Sequence, residues 1–414
     1  MKIALSCPAS LPATQFGGIM FLCLDIAKES SKLGHNVTIF TTDLDFANNP
    51  KTFNKKLPRI EKMQNFLINR SHVWFSIQLF FVNPGMYFQM SKQNFDVIHT
   101  IGIRSFQSLI AAFIAKKKKI PLVISDQGGL TTHPDLTSSL TKKFLITLQK
   151  PFIKYIINSA TKIVVPNDYE KKIFLEFCDE SKIEVIQNGI NLDILTSKEL
   201  NFKKKYNINS DFVLFLGRFS KIKGLDTLLE SINILKNKID TSKTKFIIMG
   251  VDFGFESEML NIITKFKLDN IIKVIKNPPR EDVIQAYRES KFLVYPSRWE
   301  LSPLTPLEGF AFKKTIISTT AHGIPHTINN NKNCILVEPD NPNLLSESIL
   351  ELINDEKKCE RLGISGHQTV LETCNSENMV KNVLTMYEQL IKENQNQECY
   401  NMDQKTSLTE KWWK

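Results

Sequence analysis

Short apolar runs alternate with amphipathic helical stretches along most of the 414-residue chain. A strand buried on both faces reads as a continuous apolar run. A helix covering it repeats apolar residues every three or four positions. Their alternation is the pattern of parallel sheets flanked by helices. In the first half, strands are expected at residues 2–6, 37–41, 97–100, 122–125, 163–166 and 183–187. Gly17-Gly18 opens a helix over residues 19–33, with Ile19, Leu22, Ile26 and Leu33 as its apolar positions and Gly34 as its stop. Around residues 195–212 the pattern gives way to a polar, Lys-rich stretch. A second set then begins, with strands at 212–216, 245–249, 271–275, 292–295, 315–318 and 334–337.

This reads as α/β, two doubly wound Rossmann-like domains whose natural ligand site is the cleft between them. The first domain is expected over residues 1–200 and the second over 201–376. A last helix covers 377–395, and a polar tail over 396–414 is expected to be disordered. Residues 62–90 are rich in aromatics, with Arg70 and His72 interposed. They suit either an interfacial amphipathic segment or core helices beneath an acceptor groove.

The seven cysteines are scattered and form no C-x-x-C, which argues against a zinc site and a disulfide framework and for a reducing, cytoplasmic setting. No run of eighteen apolar residues spans a membrane. The apolar run before Cys7 is too short for a secretion signal and reads as the first buried strand. The formal charge is +10, with clusters at Lys116–Lys119 and Lys203–Lys205. These suit a solvated basic face or peripheral contact with anionic membrane on its inner side. No nucleic-acid module is present.

Three places carry chemistry. The stretch Tyr295-Pro-Ser-Arg-Trp-Glu300-Leu-Ser-Pro-Leu-Thr-Pro-Leu-Glu308 is a Pro-interrupted loop running into a helix start. A helix N-terminus suits a phosphate, and Glu300 and Glu308 can accept hydrogen bonds from sugar hydroxyls. Gly217-Arg218, then Lys221, Lys223 and Gly224, follow a strand and precede a helix. Arg218 and Lys223 there can neutralise a diphosphate without metal. Gly17-Gly18 lets a ligand approach the backbone at another helix start.

With these pieces, the chain resembles the family-four glycosyltransferases of GT-B fold, from Lys2 to about Leu390. The resemblance is carried by Gly17-Gly18, Leu33-Gly-His-Asn-Val37, Phe95-Asp-Val-Ile-His99, Asn188-Gly-Ile190, Gly217-Arg218 with Lys223-Gly224, and Pro296-Ser297 through Glu308. It continues through Ile316–Pro325 and Leu336–Pro339. It implies a retaining, metal-independent transferase that needs no cofactor. A nucleoside-diphosphate sugar would be the donor, and a saccharide or lipid-linked hydroxyl the acceptor. It also implies that the last helix packs back toward the first domain. Arg218 and Lys223 would hold the diphosphate, and Glu308 the ribose. Glu300 would contact the transferred sugar. The backbone N–H groups of Leu304 and Thr305 would face the phosphates, with Gly17 and Gly18 approaching from the first domain. Two departures stand out. Gln127 takes the place of a common His, and His322 and His326 lie in Ala321-His-Gly-Ile-Pro-His326, where relatives carry Gly-Gly-x-Pro-Glu. Asn167 also replaces a more usual Ser. His99 and His322 are further candidates for the site. The alternatives are a nucleotide-sugar epimerase and a non-catalytic nucleotide-sugar-binding subunit.

Overall fold

The computed structural model describes residues 1–45, 52–77, 80–126, 130, 140–198 and 200–411. The first sheet contains β1 (Lys2–Ser6), β2 (Asn36–Thr42), β3 (Ile60–Met63) and β4 (Phe66–Ser71). After a separate antiparallel hairpin of β5 (Phe75–Ile77) and β6 (Phe80–Val82), it adds β7 (Val97–Ile101), β8 (Leu122–Ser125), β9 (Lys162–Val165) and β10 (Ile183–Val185). Their order is β10-β9-β8-β7-β1-β2-β4-β3, parallel except for the edge strand β3.

The second sheet contains β11 (Asp211–Leu216), β12 (Thr244–Gly250), β13 (Ile272–Lys276), β14 (Phe292–Tyr295), β15 (Ile316–Thr319) and β16 (Ile335–Val337). It is wholly parallel, in the order β13-β12-β11-β14-β15-β16. Strand periodicity divides β11 between two cores. Phe212 and Leu214 pack with Leu293 and Leu307, while Val213 and Phe215 pack with Leu228 and Ile232. Strand order reverses between β11 and β14 here, and between β1 and β7 in the first sheet. Such switch points open a crevice at the carboxyl ends of the strands.

The chain passes between the domains at two adjacent places. The Ile190 N–H donates to the Cys374 carbonyl at 2.9 Å, and the Ser376 N–H donates to the Ile190 carbonyl at 2.8 Å. The helix Ser376–Lys411 then lays Met379, Val383, Tyr387 and Leu390 into the core that holds Ile3 and Leu5. No described helix is long and apolar enough to cross a membrane.

Each expected strand lies within two residues of its place. Two other expectations fail. Leu33 is exposed, because the helix Gly18–Lys32 stops before it; the helix buries the expected Leu22 and Ile26, together with Cys23 and Ala27. Residues 62–90 form β4, the β5–β6 hairpin and one short helix, Gly85–Ser91, rather than core helices. Their β-branched and aromatic residues suit a pleated, half-buried surface.

Candidate active site

Both loops singled out in the second domain leave strands at its switch point. Gly217-Arg218 follows β11, and Pro296 to Pro303 follows β14. They are in direct contact. Gly224 has φ +67°, and a side-chain carbon there would fall 2.0 Å from the Pro296 carbonyl oxygen. Only glycine permits both that backbone and that approach.

This packing buries Lys223 against Glu300. Lys223 Nζ donates to Glu300 Oε1 and also to the Tyr295 hydroxyl at 2.8 Å. Glu300 Oε1 further accepts from Tyr295 Oη at 2.6 Å and Ser297 Oγ at 3.0 Å. Burial alone would raise the Glu300 carboxyl. The Lys223 charge and these hydrogen bonds overcome it and hold the carboxyl below its ordinary range. Burial, with Arg218 nearby, lowers Lys223 despite Glu300. Arg218 itself is exposed at the mouth of the crevice, its guanidinium 4.9 Å from the Phe253 ring centre.

The helix Leu304–Ala311 starts behind Pro303, with no side chain capping its first N–H groups. Ser302 Oγ, just before it, is buried and finds no hydrogen-bond partner. Gly18 of the first domain abuts this start, since a side-chain carbon on it would lie 3.4 Å from Leu304 Cδ1. Gly17, at φ +96°, turns the chain into that contact.

Glu308, on the same helix, is gripped by a residue the sequence reading did not single out. Both guanidinium arms of Arg280 donate to its two carboxylate oxygens, and Tyr287 Oη donates to Oε2 at 2.8 Å. Burial opposes the Arg280 charge, but Glu308 outweighs it and raises the guanidinium further. Burial and then the facing carboxylate keep Tyr287 and Tyr295 well above the usual phenol range, so both are hydrogen-bond donors. Arg280 also stands 5.0 Å from the ring centre of Phe21, on the first domain's opening helix. One turn further along that helix, Asp25 is pushed up to about 7. Burial and Glu29 raise it, against Lys28, Arg280 and a hydrogen bond from Asn191.

Other contacts join the domains beside the crevice. Asn167 Oδ1 caps the helix Asp168–Phe174, while its Nδ2 donates to the Leu301 carbonyl at 2.7 Å. Tyr169 Oη and His322 Nδ1 lie 2.6 Å apart, with the His326 ring beside them.

The family pattern described as Glycosyltransferase Family 4 matches residues 16–194, and that described as Glycosyl transferases group 1 matches residues 197–369. The chain belongs to glycosyltransferase family 4. An uncharacterized glycosyltransferase of Methanocaldococcus jannaschii is 29% identical over 73% of this chain and 77% of its own. The capsular polysaccharide biosynthesis glycosyltransferase CapM of Staphylococcus aureus is 26% identical over 69% and 74%. An Anabaena protein, HepE, solved in complex with UDP-glucose, has the same fold. It matches at TM-score 0.71 over 94% of this chain and all of its own, at 17% identity. That fold is GT-B.

In this glycosyltransferase the crevice brings together Gly18, Lys223, Glu300, Leu304 and Glu308 through the contacts above, with Arg218 at its mouth. His99 is not part of it. It is fully buried, with Nδ1 on Tyr387 Oη and Nε2 at 2.8 Å from Ser125 Oγ, and burial lowers it to about 3. Neither ring nitrogen is left for a sugar. The strand Val97–Ile101 is wholly buried, so a histidine in mid-strand turns inward. Gln127 lies outside the described residues. His322 faces Tyr169, and burial lowers it, so it is a neutral ring at the domain seam. A signal for Arg280 was present. Pro278-Pro279 announces a helix start, and Arg280 and Tyr287 share a face at seven-residue spacing.

Proposed function

We propose that this glycosyltransferase moves a sugar from a nucleoside-diphosphate sugar to an acceptor hydroxyl, retaining the anomeric configuration and using no bound metal. The observation that carries the reading is the pairing of two cations, Arg218 and Lys223, with an uncapped helix start at one switch point. Breaking the anomeric C–O bond builds negative charge on the departing diphosphate. Fixed cations and helix N–H groups stabilise that charge as it grows. Leu304 and Thr305 supply the N–H groups, and Gly18 leaves room for the diphosphate between the domains.

Glu308 takes the ribose hydroxyls and shares its oxygens with Arg280. Glu300 takes hydroxyls of the transferred sugar, which releases Lys223 toward phosphate. A covalent sugar–enzyme intermediate needs an unengaged carboxylate beneath the ring. Both carboxylates here are already bound on several sides, which favours attack from the leaving-group face, with a donor phosphate oxygen taking the acceptor proton. Gln127 would hydrogen-bond the donor from the first domain. Among the described residues no three His, Cys, Asp or Glu side chains converge as metal ligands. The acceptor is a saccharide or lipid-linked saccharide of glycan or polysaccharide assembly. The S. aureus relative's role in capsular polysaccharide biosynthesis supports that class, and the UDP-glucose bound by the Anabaena protein supports the donor class.

A thermal-shift screen of nucleoside-diphosphate sugars identifies the donor, since a ligand at a hundred times its Kd stabilises by ~2.7 kcal/mol. With that donor, acceptor-dependent release of nucleoside diphosphate should persist in EDTA. Binding without release would indicate a sensor. An isomerised sugar without steady nucleotide release would indicate an epimerase. Either result overturns the proposal.

A further inference from the structure

The first domain carries an exposed apolar surface outside the side-chain pairings described for the crevice. In the β5–β6 hairpin, Ile77 stands directly opposite Phe80, so the two side chains share a face, and Phe75 joins them two residues back. Phe75 and Ile77 are exposed. The Phe80 ring meets Phe106 at 6.0 Å. Phe106 opens the helix Phe106–Lys118, and Phe113 and Lys117 follow on the same side at helical spacing.

Exposed Phe113 packs against Tyr87 at 5.9 Å, and Tyr87 against Phe88, itself 61% exposed, at 5.4 Å. Lys117 Nζ donates to the Tyr87 hydroxyl at 3.0 Å. Exposed and half-buried aromatics therefore recur along one side from the hairpin to the Lys116–Lys119 cluster. The neighbouring helix Leu140–Ser159 extends it. Lys116 Nζ lies 5.5 Å from the Tyr155 ring centre, and exposed Phe152 and Leu148 continue the Tyr155 face. Between these helices, at the lysine end, is a cleft of about 450 Å³ lined in part by Lys116, Lys119, Asn158 and Ser159.

The four elements that build this face carry charge of one sign. The hairpin strands, the helix Gly85–Ser91 and the two longer helices contain no Asp or Glu. The longer helices carry Lys116, Lys117, Lys118, Lys150 and Lys154 among the residues whose side chains are described. Exposed aromatics bordered by lysines match the two layers of a bilayer interface. Rings enter the headgroup–acyl boundary, and ammonium groups reach anionic phosphates.

We propose that this face docks the protein on an anionic lipid bilayer. The aromatic stripe enters the interface, and the Lys116–Lys119 cleft meets a headgroup phosphate. This gives the Lys116–Lys119 cluster a definite partner and does not depend on the identity of the donor.

The test is sedimentation of the full chain with vesicles of phosphatidylcholine alone and of phosphatidylcholine with phosphatidylglycerol, at low and high salt. Wild-type protein should sediment with the anionic vesicles, and less so as salt rises. Lys116→Gln with Lys117→Gln should weaken partition roughly 25-fold, about fivefold per lysine. Phe113→Ser with Phe152→Ser should weaken it at both salts. Both pairs of side chains are on the surface, so both variants should keep their nucleoside-diphosphate affinity in calorimetry. That control separates failure of this proposal from failure of the donor-site assignment. No sedimentation, equal partition to phosphatidylcholine alone, or variants that sediment like wild type would overturn the proposal. So would equal retention on soluble heparin that ignores the aromatic substitutions, since that would assign the face to a polyanionic polymer.

Discussion

Glu300 and Glu308 stand eight residues apart on one loop-and-helix segment, and each is held by one cation and one tyrosine. They differ in where those partners lead. Lys223 and Tyr295 belong to the second domain, so Glu300 is fixed by local pairing. Arg280 also belongs to the second domain, but it rests on Phe21 of the first. Glu308 is therefore wired to the domain seam, next to Asp25 and Gly18. The same residue type on the same segment serves as a local anchor in one place and as a link across the cleft in the other.

The largest expected effect breaks the local pair. Lys223 and Glu300 side chains are only 12% and 14% exposed. Lys223→Ala leaves a buried carboxylate without its cation and should cost about 3–5 kcal/mol in unfolding free energy. Lys223→Ala with Glu300→Ala should recover part of that loss, as measured by denaturant unfolding of the single and double variants. Full additivity would mean that the pair is not coupled.

A smaller effect sharpens the contrast between the two carboxylates. A partly desolvated cation–π contact is worth up to ~2 kcal/mol. Phe21→Ala should therefore show coupling with Glu308→Ala on the order of 1 kcal/mol in a double-mutant cycle. With Glu300→Ala it should add within roughly 0.5 kcal/mol. Equal coupling to both would erase the distinction drawn here.

A third effect is a pH dependence at the seam. The Asp25 carboxyl is raised from 3.8 to about 7, so the folded protein holds its proton where the unfolded chain releases it. Its contribution to stability is full below the unfolded value, declines as pH rises through that window, and is gone above the folded value. Asp25→Asn carries no such dependence. The melting temperature of the native protein should fall relative to Asp25→Asn between about pH 4 and 7. Parallel curves would show that Asp25 titrates normally.

Much of the fold was legible because parallel strands buried on both faces must be apolar throughout. Runs such as Phe212–Leu216 and Phe292–Tyr295 have no other stable place. The two crevice loops were legible for a related reason: Gly224 and the prolines around Leu304 mark backbone that no ordinary helix or strand needs. Side-chain partnerships were not legible. That Lys223 meets Glu300, or Arg280 meets Glu308, depends on which loops the strand order brings to one switch point. The burial of His99 depends on Tyr387, 288 residues away in sequence. The β5–β6 hairpin was missed because its run of aromatics suits a strand face and a helix face alike.

The central claim is that the second domain holds the nucleotide through Arg218 and Glu308, while Gln127 in the first domain serves transfer. The most direct test is calorimetric titration of the free nucleoside diphosphate into the wild type and the Glu308→Ala, Arg218→Ala and Gln127→Ala variants, with turnover measured alongside. Each charge-assisted bond to a ribose hydroxyl is worth ~1.5–3 kcal/mol, so Glu308→Ala should weaken binding by about tenfold or more. Arg218→Ala should weaken binding and also cut turnover by about a hundredfold or more. Gln127→Ala should lower transfer and leave nucleotide affinity nearly unchanged. Loss of nucleotide binding in Gln127→Ala, with Glu308→Ala binding as tightly as wild type, would contradict the account and move the donor site out of the second domain.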